Sequence, residues 1–236
     1  LHNVAHSFPT RRSSDLFCGS GDTSFYGPIL NPIDPTRLAG GSSGGAAATL
    51  HDPKVDVAIG TDQGGSVRVP AAWTGVFGLK PTFGRIPYTG VVGMEASLDH
   101  VGILARDPSL IERVLRVLQG PDGVDGRQQP VVEPDPSRSR PVVRVLTTLL
   151  DRADPAVQRG VRATLQAWEQ RGVRLEHSSL DPSQYGPVST AIFVEGALAT
   201  IQGLSAPWSI RGAYWEELQR ALSRGVAERL DDLSAP

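Results

Sequence analysis

Residues 142–175 open with Val142-Val143-Arg144-Val145-Leu146, continue to Asp154-Pro155 ahead of Val157, Val161, Leu165 and Trp168, and end on Gly172-Val173-Arg174-Leu175. The first run is short, apolar and β-branched, and reads as a strand. Asp154 and Pro155 are a cap and a first-turn proline, and the apolar positions that follow recur at three- and four-residue spacing, which predicts a helix with that stripe turned inward. Gly172 ends it, and Val173 to Leu175 begin a second strand. Parallel neighbours need such a crossover, so strand, helix, strand is the βαβ signature. The expected fold class is α/β: a mixed, largely parallel sheet covered by helices on both faces.

Upstream, Pro121 to Pro141 is rich in proline, glycine and aspartate without periodicity and reads as an exposed connection. Asp107-Pro108, then Leu110, Ile111, Val114, Leu115 and Leu118, closed by Gly120, predicts a surface helix. Val55 to Ile59 reads as a buried strand that delivers the chain into Thr61-Asp62-Gln63-Gly64-Gly65. Downstream, helices are expected around Val188 to Gln202 and Tyr214 to Leu230. The expected organisation is a core over 17–128, a linker over 121–141 and a peripheral βαβ and helical part over 142–236. Residues 1–16 are set apart. Ser7-Phe8-Pro9-Thr10-Arg11-Arg12-Ser13-Ser14-Asp15-Leu16 resembles the in-frame translation of a short-read sequencing adapter, so this end is expected to be a non-native scar and disordered.

The 236 residues carry 23 Lys+Arg against 25 Asp+Glu, a net charge of -2 that argues against nucleic acid or an anionic membrane as partner. Cys18 is the one cysteine, which excludes an internal disulfide or a multi-thiolate metal site, and no apolar run approaches the ~20 residues of a membrane span. A cytoplasmic location is expected. His51, His100 and His177 lack ligand spacing, so neither metal nor cofactor is expected. Lys54 and Lys80 are the two lysines.

The chemistry is concentrated in two serine loops, with Ser42 and Ser66 24 positions apart. One is Gly40-Gly41-Ser42-Ser43-Gly44-Gly45-Ala46-Ala47-Ala48. The other is Gly60-Thr61-Asp62-Gln63-Gly64-Gly65-Ser66-Val67-Arg68-Val69-Pro70-Ala71-Ala72. Each glycine run leads into small residues that can start a helix, a geometry that aims successive N–H groups at an anion or a developing oxyanion. Phosphate binding would want Gly-Lys-Ser/Thr or Gly-x-Gly-x-x-Gly, and neither occurs. Ser43 satisfies the letters of a Gly-x-Ser-x-Gly nucleophile elbow, but Pro32 and Pro35 exclude the central strand that should precede it. A serine activated by a second small polar group and a lysine is the third option.

These loops, with Asn31-Pro32-x-Asp34-Pro35-x-Arg37 before them and Gly75-x-x-Gly78-Leu79-Lys80-Pro81-Thr82-x-Gly84-Arg85 and Ser97-Leu98-Asp99-His100-Val101-Gly102 after them, resemble the core of the amidase signature family in order and spacing. The resemblance is dense over Phe17 to about Gln128. Ile86-Pro87-Tyr88-Thr89-Gly90 and Gly120-Pro121-Asp122-Gly123-Val124-Asp125-Gly126-Arg127-Gln128 look most like the broad-spectrum amidases associated with nitrile degradation. It implies the amidase signature fold, truncated here at both ends, and an amide hydrolase that forms a serine acyl-enzyme and releases carboxylate and ammonia. Carried over by position, Ser66 is the nucleophile and Ser42 the bridging serine on a cis peptide bond. The N–H groups of Gln63, Gly64, Gly65 and Ser66 form the oxyanion hole, and Ser43, Thr61, Asp62 and Arg68 support the loops, with an Asp62–Arg68 ion pair as brace.

The family's base is a lysine further upstream than this chain reaches, and neither Lys54 nor Lys80 takes its place, so the chain itself is expected to be inactive or nearly so. Two alternatives stay open: the glutamine-hydrolysing component of a tRNA-dependent amidotransferase, and a non-catalytic truncated relative. The expected partners are a small-molecule amide and either a second copy of the chain or, under the first alternative, a partner polypeptide of the amidotransferase.

Overall fold

A computed structural model describes residues 4–6, 19–22, 24, 27–128, 130, 142–181 and 186–204. The chain divides into two compact units, Leu1–Val131 with Ala191–Pro236, and Val132–Thr190. In the first, β1 (Val4–His6), α1 (Gly44–Thr49), β2 (Val57–Thr61), α2 (Arg68–Thr74), β3 (Phe77–Leu79), β4 (Val101–Ala105) and α3 (Pro108–Leu118) follow in order. The sheet order is β1-β2-β4-β3.

Alternation along the strands splits the core. On one face Ala58 and Leu104 meet Ala46, Ala47 and Leu50 of the α1 region and Val67 and Ala71 at α2, all buried. On the other, Val57, Val101, Ile103 and Ala105 meet Ile86, Tyr88 and Ile111, with Leu110, Val114, Leu115 and Leu118 of α3 packed around them. Helices therefore lie on both faces. α3 starts as its sequence dictates, with Asp107 Oδ1 accepting the Ser109 N–H at 2.8 Å and Pro108 in the first turn.

Three expectations change. The four-stranded sheet is mixed, but among the described residues one of its pairings, β1–β2, is parallel and two, β2–β4 and β3–β4, are antiparallel; the separate two-stranded sheet of the second unit pairs β5 with β6 in parallel. The sequence reading assigns no element to Val101–Ala105, and that buried strand reverses direction between β2 and β3. The N-terminal end is also not wholly without structure. Val4–His6 pairs with Val57–Ile59, closing the β2 edge that β4 leaves open; backbone hydrogen bonding alone drives such pairing, so residue type gives little warning. Ser7–Leu16 lies outside the described residues.

The third change concerns the second unit, where β5 (Val142–Leu146) and β6 (Arg174–Ser178) pair in parallel around α4 (Thr147–Arg152) and α5 (Pro155–Gln170). The βαβ unit is there, but Val157, Val161 and Trp168 of α5 are 54%, 39% and 40% exposed. Two strands at about 4.8 Å spacing form a strip no wider than one helix, so a single line of side chains is all it covers. α6 (Gly186–Leu204) realises the predicted helix; Val194 and Ala197 are buried, and a Cβ at Gly196 would fall 2.6 Å from Glu95 Cβ. The stretch 214–230 lies outside the described residues. No helix among them is long and apolar enough to cross a membrane.

Candidate active site

β2 carries the chain to Asp62, whose N–H donates to the His100 carbonyl at 2.9 Å. The carboxylate is fully buried and collects donors. Gly65 N donates at 2.8 Å, Val67 N at 3.1 Å and Arg68 N at 3.3 Å, and the Arg68 guanidinium adds Nε at 3.0 Å and Nη2 at 2.8 Å. Burial pushes this carboxyl up, but the Arg68 contacts and the loop amides outweigh it and hold Asp62 below the ordinary carboxylate value. The ion pair thus organises the turn that presents Ser66.

The other loop reaches the same place from α1. The Gly41–Ser42 peptide bond is cis. Ser43 N donates to the Ser66 carbonyl at 3.0 Å and Ser43 Oγ to the Thr61 carbonyl at 3.3 Å, so the two serine loops are stitched together. Ser42 and Ser43 are buried and Ser66 is half-buried. Ser42 Oγ has no hydrogen-bond partner among the described residues.

Glycines let this assembly lie directly on the sheet. A Cβ at Gly60 would collide with Ser43 Oγ and Cβ, and one at Gly102, paired opposite, would come within 2.8 Å of both Val67 Cγ2 and the Leu79 carbonyl.

Gly65, expected among the oxyanion donors, has a partner within the turn. Its N–H is bound to Asp62, because a buried carboxylate recruits whatever donors the turn offers. The N–H groups of Gln63, Gly64 and Ser66 have no acceptor among the described residues. Lys80 Nζ donates to the Pro81 carbonyl at 2.7 Å; burial and then the Arg68 charge lower its pKa. Lys54 lies in an exposed turn.

A polar cluster that the sequence reading leaves without roles sits behind Gln63. Gln63 Nε2 donates to Tyr88 Oη at 3.1 Å and to Asp99 Oδ1 at 2.8 Å. Asp99 is buried and also accepts the N–H groups of Met94 and Glu95. Tyr88 N donates to Asp125 Oδ2 at 2.8 Å, and Arg127 brackets Asp125 through Nε at 2.8 Å and Nη2 at 3.0 Å. Its guanidinium lies 5.1 Å from the Tyr88 ring centroid. Arg127 first, then the Tyr88 N–H, hold Asp125 well below the usual carboxylate range, whereas burial and the Asp99 charge push Tyr88 up. The density of charge in Asp122 to Arg127 is the one local hint of this cluster. A cavity of about 710 Å³ is lined by Ile29, Asn31, His51 and Pro53, among others, and includes neither Ser42 nor Ser66.

The amidase family profile matches residues 10–232. The chain is 40% identical over 173 residues to the A-type subunit of a glutamyl-tRNA(Gln) amidotransferase from Symbiobacterium thermophilum, covering 70% of this chain and 36% of that protein. It is 35% identical over 224 residues to a protein of the same name from Synechococcus sp. (strain RCC307), covering 90% and 46%. The chain thus spans between about a third and a half of these relatives. Among solved structures it resembles a bacterial aryl acylamidase of the amidase signature enzymes (TM-score 0.74, 25% identity, 93% of this chain and 48% of that one). It also resembles a protein described as an amidase (TM-score 0.70, 26% identity, 92% and 48%). On sequence and fold together, the chain belongs to the amidase signature family.

Proposed function

We propose that the protein is an amide hydrolase that cleaves a carboxamide through an acyl-enzyme on Ser66. The observation that carries this is the Ser43 N to Ser66 carbonyl bond, which joins the loop of Ser42, whose buried Oγ has no partner among the described residues, to the loop of Ser66, where the N–H groups of Gln63, Gly64 and Ser66 have no acceptor among those residues. In this reading Ser66 Oγ attacks the amide carbonyl, Ser42 relays the Ser66 proton toward a basic amine, and the same proton returns to the leaving ammonia or amine. The free N–H groups receive the oxyanion, where one donor is worth about 3 kcal/mol in the transition state. Water then frees the carboxylate. Asp62 and Arg68 hold the turn.

The relay needs a neutral lysine, and the two lysines of the chain do not supply it: Lys80 Nζ is engaged by Pro81, and neither contacts Ser42 Oγ. The chain of 236 residues is therefore expected to release no ammonia from simple amides above the level of its Ser66→Ala variant. Ammonia release abolished by Ser66→Ala would show that a base is present after all. In a form carrying an additional upstream lysine, the same substitution should abolish activity.

A second reading is favoured by the relatives at 40% and 35% identity that are named as amidotransferase components. In it the amide is glutamine and the ammonia passes to a partner polypeptide. Strict glutamine preference together with co-purification of that partner would establish it; hydrolysis of aryl or short aliphatic amides by the isolated protein would favour the first.

A further inference from the structure

We propose that Tyr88 and Asp99, themselves held by Arg127 and Asp125, are positioning residues that act through the Gln63 side chain to orient the oxyanion donors. For its catalytic consequence this rests on the amide-hydrolase reading of Ser66; its structural content does not.

Two adjacent residues grip the nucleophile turn in different directions. Asp62 gathers the amides that follow it, Gly65, Val67 and Arg68. Gln63 is tied the other way: both hydrogens of its amide nitrogen have acceptors, Tyr88 Oη and Asp99 Oδ1, in a buried setting. Two-point attachment fixes the amide plane and, through a short chain of rotamers, the backbone of Gln63, whose N–H is one of the free donors. Gly64 beside it is exposed and has no side chain to anchor it.

The acceptors are fixed in turn. Asp99 is braced by the Met94 and Glu95 N–H groups. Tyr88 is held at its backbone by Asp125 and at its ring by Arg127, which also lies 4.0 Å from Asp99 Oδ2. The segment after α3 thereby reaches the oxyanion donors with no contact to Ser66 itself. Such donors are useful only within about 0.5 Å of their productive positions, and the two Nε2 bonds supply that restraint, while the buried Gln63 Oε1 has no hydrogen-bond partner among the described residues.

Gln63→Met keeps length and removes both bonds; Tyr88→Phe removes the phenolic oxygen alone. Amide exchange is followed by mass spectrometry at Gly65 and Val67, whose N–H groups report the turn, and at β4 as an internal standard. Single-turnover acetylation of Ser66 by 4-nitrophenyl acetate is measured on the same samples. Exchange at Gly65 and Val67 should rise about tenfold in Gln63→Met and less in Tyr88→Phe, with β4 unchanged. Acetylation should slow about tenfold at unchanged ester half-saturation. Equal acceleration in β4, or none at Gly65 and Val67 in either variant, would overturn the proposal. If the ester leaves Ser66 of the unsubstituted chain unmodified, the nucleophile reading fails, and exchange alone decides the positioning role.

Discussion

Asp62 concentrates the energetics of the site in one carboxylate. It is fully buried, yet its folded pKa lies below the ordinary 3.8, because Arg68 and three amides stabilise the charge more than burial penalises it. A depressed folded pKa contributes stability that is complete above the unfolded value and disappears as pH falls through the folded one. Urea midpoints of the wild type should therefore be level above about pH 5 and decline below 3.8, and Asp62→Asn should flatten that decline. Near neutral pH, Asp62→Asn is expected to cost about 2 kcal/mol, since the buried donors keep an oxygen to bond but lose the charge; Arg68, half exposed, recovers part of its solvation. The same carboxylate takes the Gly65 N–H, which the family resemblance assigns to the oxyanion hole. A pattern of letters cannot tell which N–H of a glycine turn faces the substrate and which faces the acid that holds the turn.

At the scale of elements, β2 and β4 matter for what they omit. Gly60 and Gly102 face each other across the ladder and leave the space that Ser43 and Val67 fill. Gly60→Ala or Gly102→Ala should each cost about 1–3 kcal/mol in chemical denaturation, because the displaced neighbours include backbone atoms and a buried valine. Helices α3 and α5 make a matched contrast. Both carry a cap, a first-turn proline and an apolar stripe, but α3 seats its stripe on the sheet while α5 leaves Val157, Val161 and Trp168 more than a third exposed. Ile111→Ala should cost about 2 kcal/mol or more, and Val157→Gln or Val161→Gln less than about 0.5 kcal/mol, measured as shifts of the denaturation midpoint. Periodicity identifies a helix and its apolar side; whether a surface exists to receive that side depends on the width of the sheet beneath it.

For the whole molecule, the Ser43 N to Ser66 carbonyl bond joins the two serine loops, while Lys80 Nζ is bound to the Pro81 carbonyl and Lys54 lies in an exposed turn. An activated ester, whose leaving group needs no proton, is expected to acetylate Ser66 measurably faster than any carboxamide is turned over by the same chain, a comparison made by intact mass and ammonia release. Much of this was legible beforehand. The cap and proline at 107–108 and 154–155, the glycine turn at a strand end and the two serine loops are local features, and local features are set by backbone sterics and hydrogen-bonding groups within a few residues. The amidase signature resemblance added which serines to watch. The antiparallel course of β4, the pairing of Val4–His6, the capture of the Gly65 N–H and the Gln63–Tyr88–Asp99–Arg127 network came only with the fold. Each joins residues far apart in the chain or selects one of several equivalent backbone groups. Such choices are made by which buried charges and open edges need partners, a requirement that exists only once the chain has closed on itself.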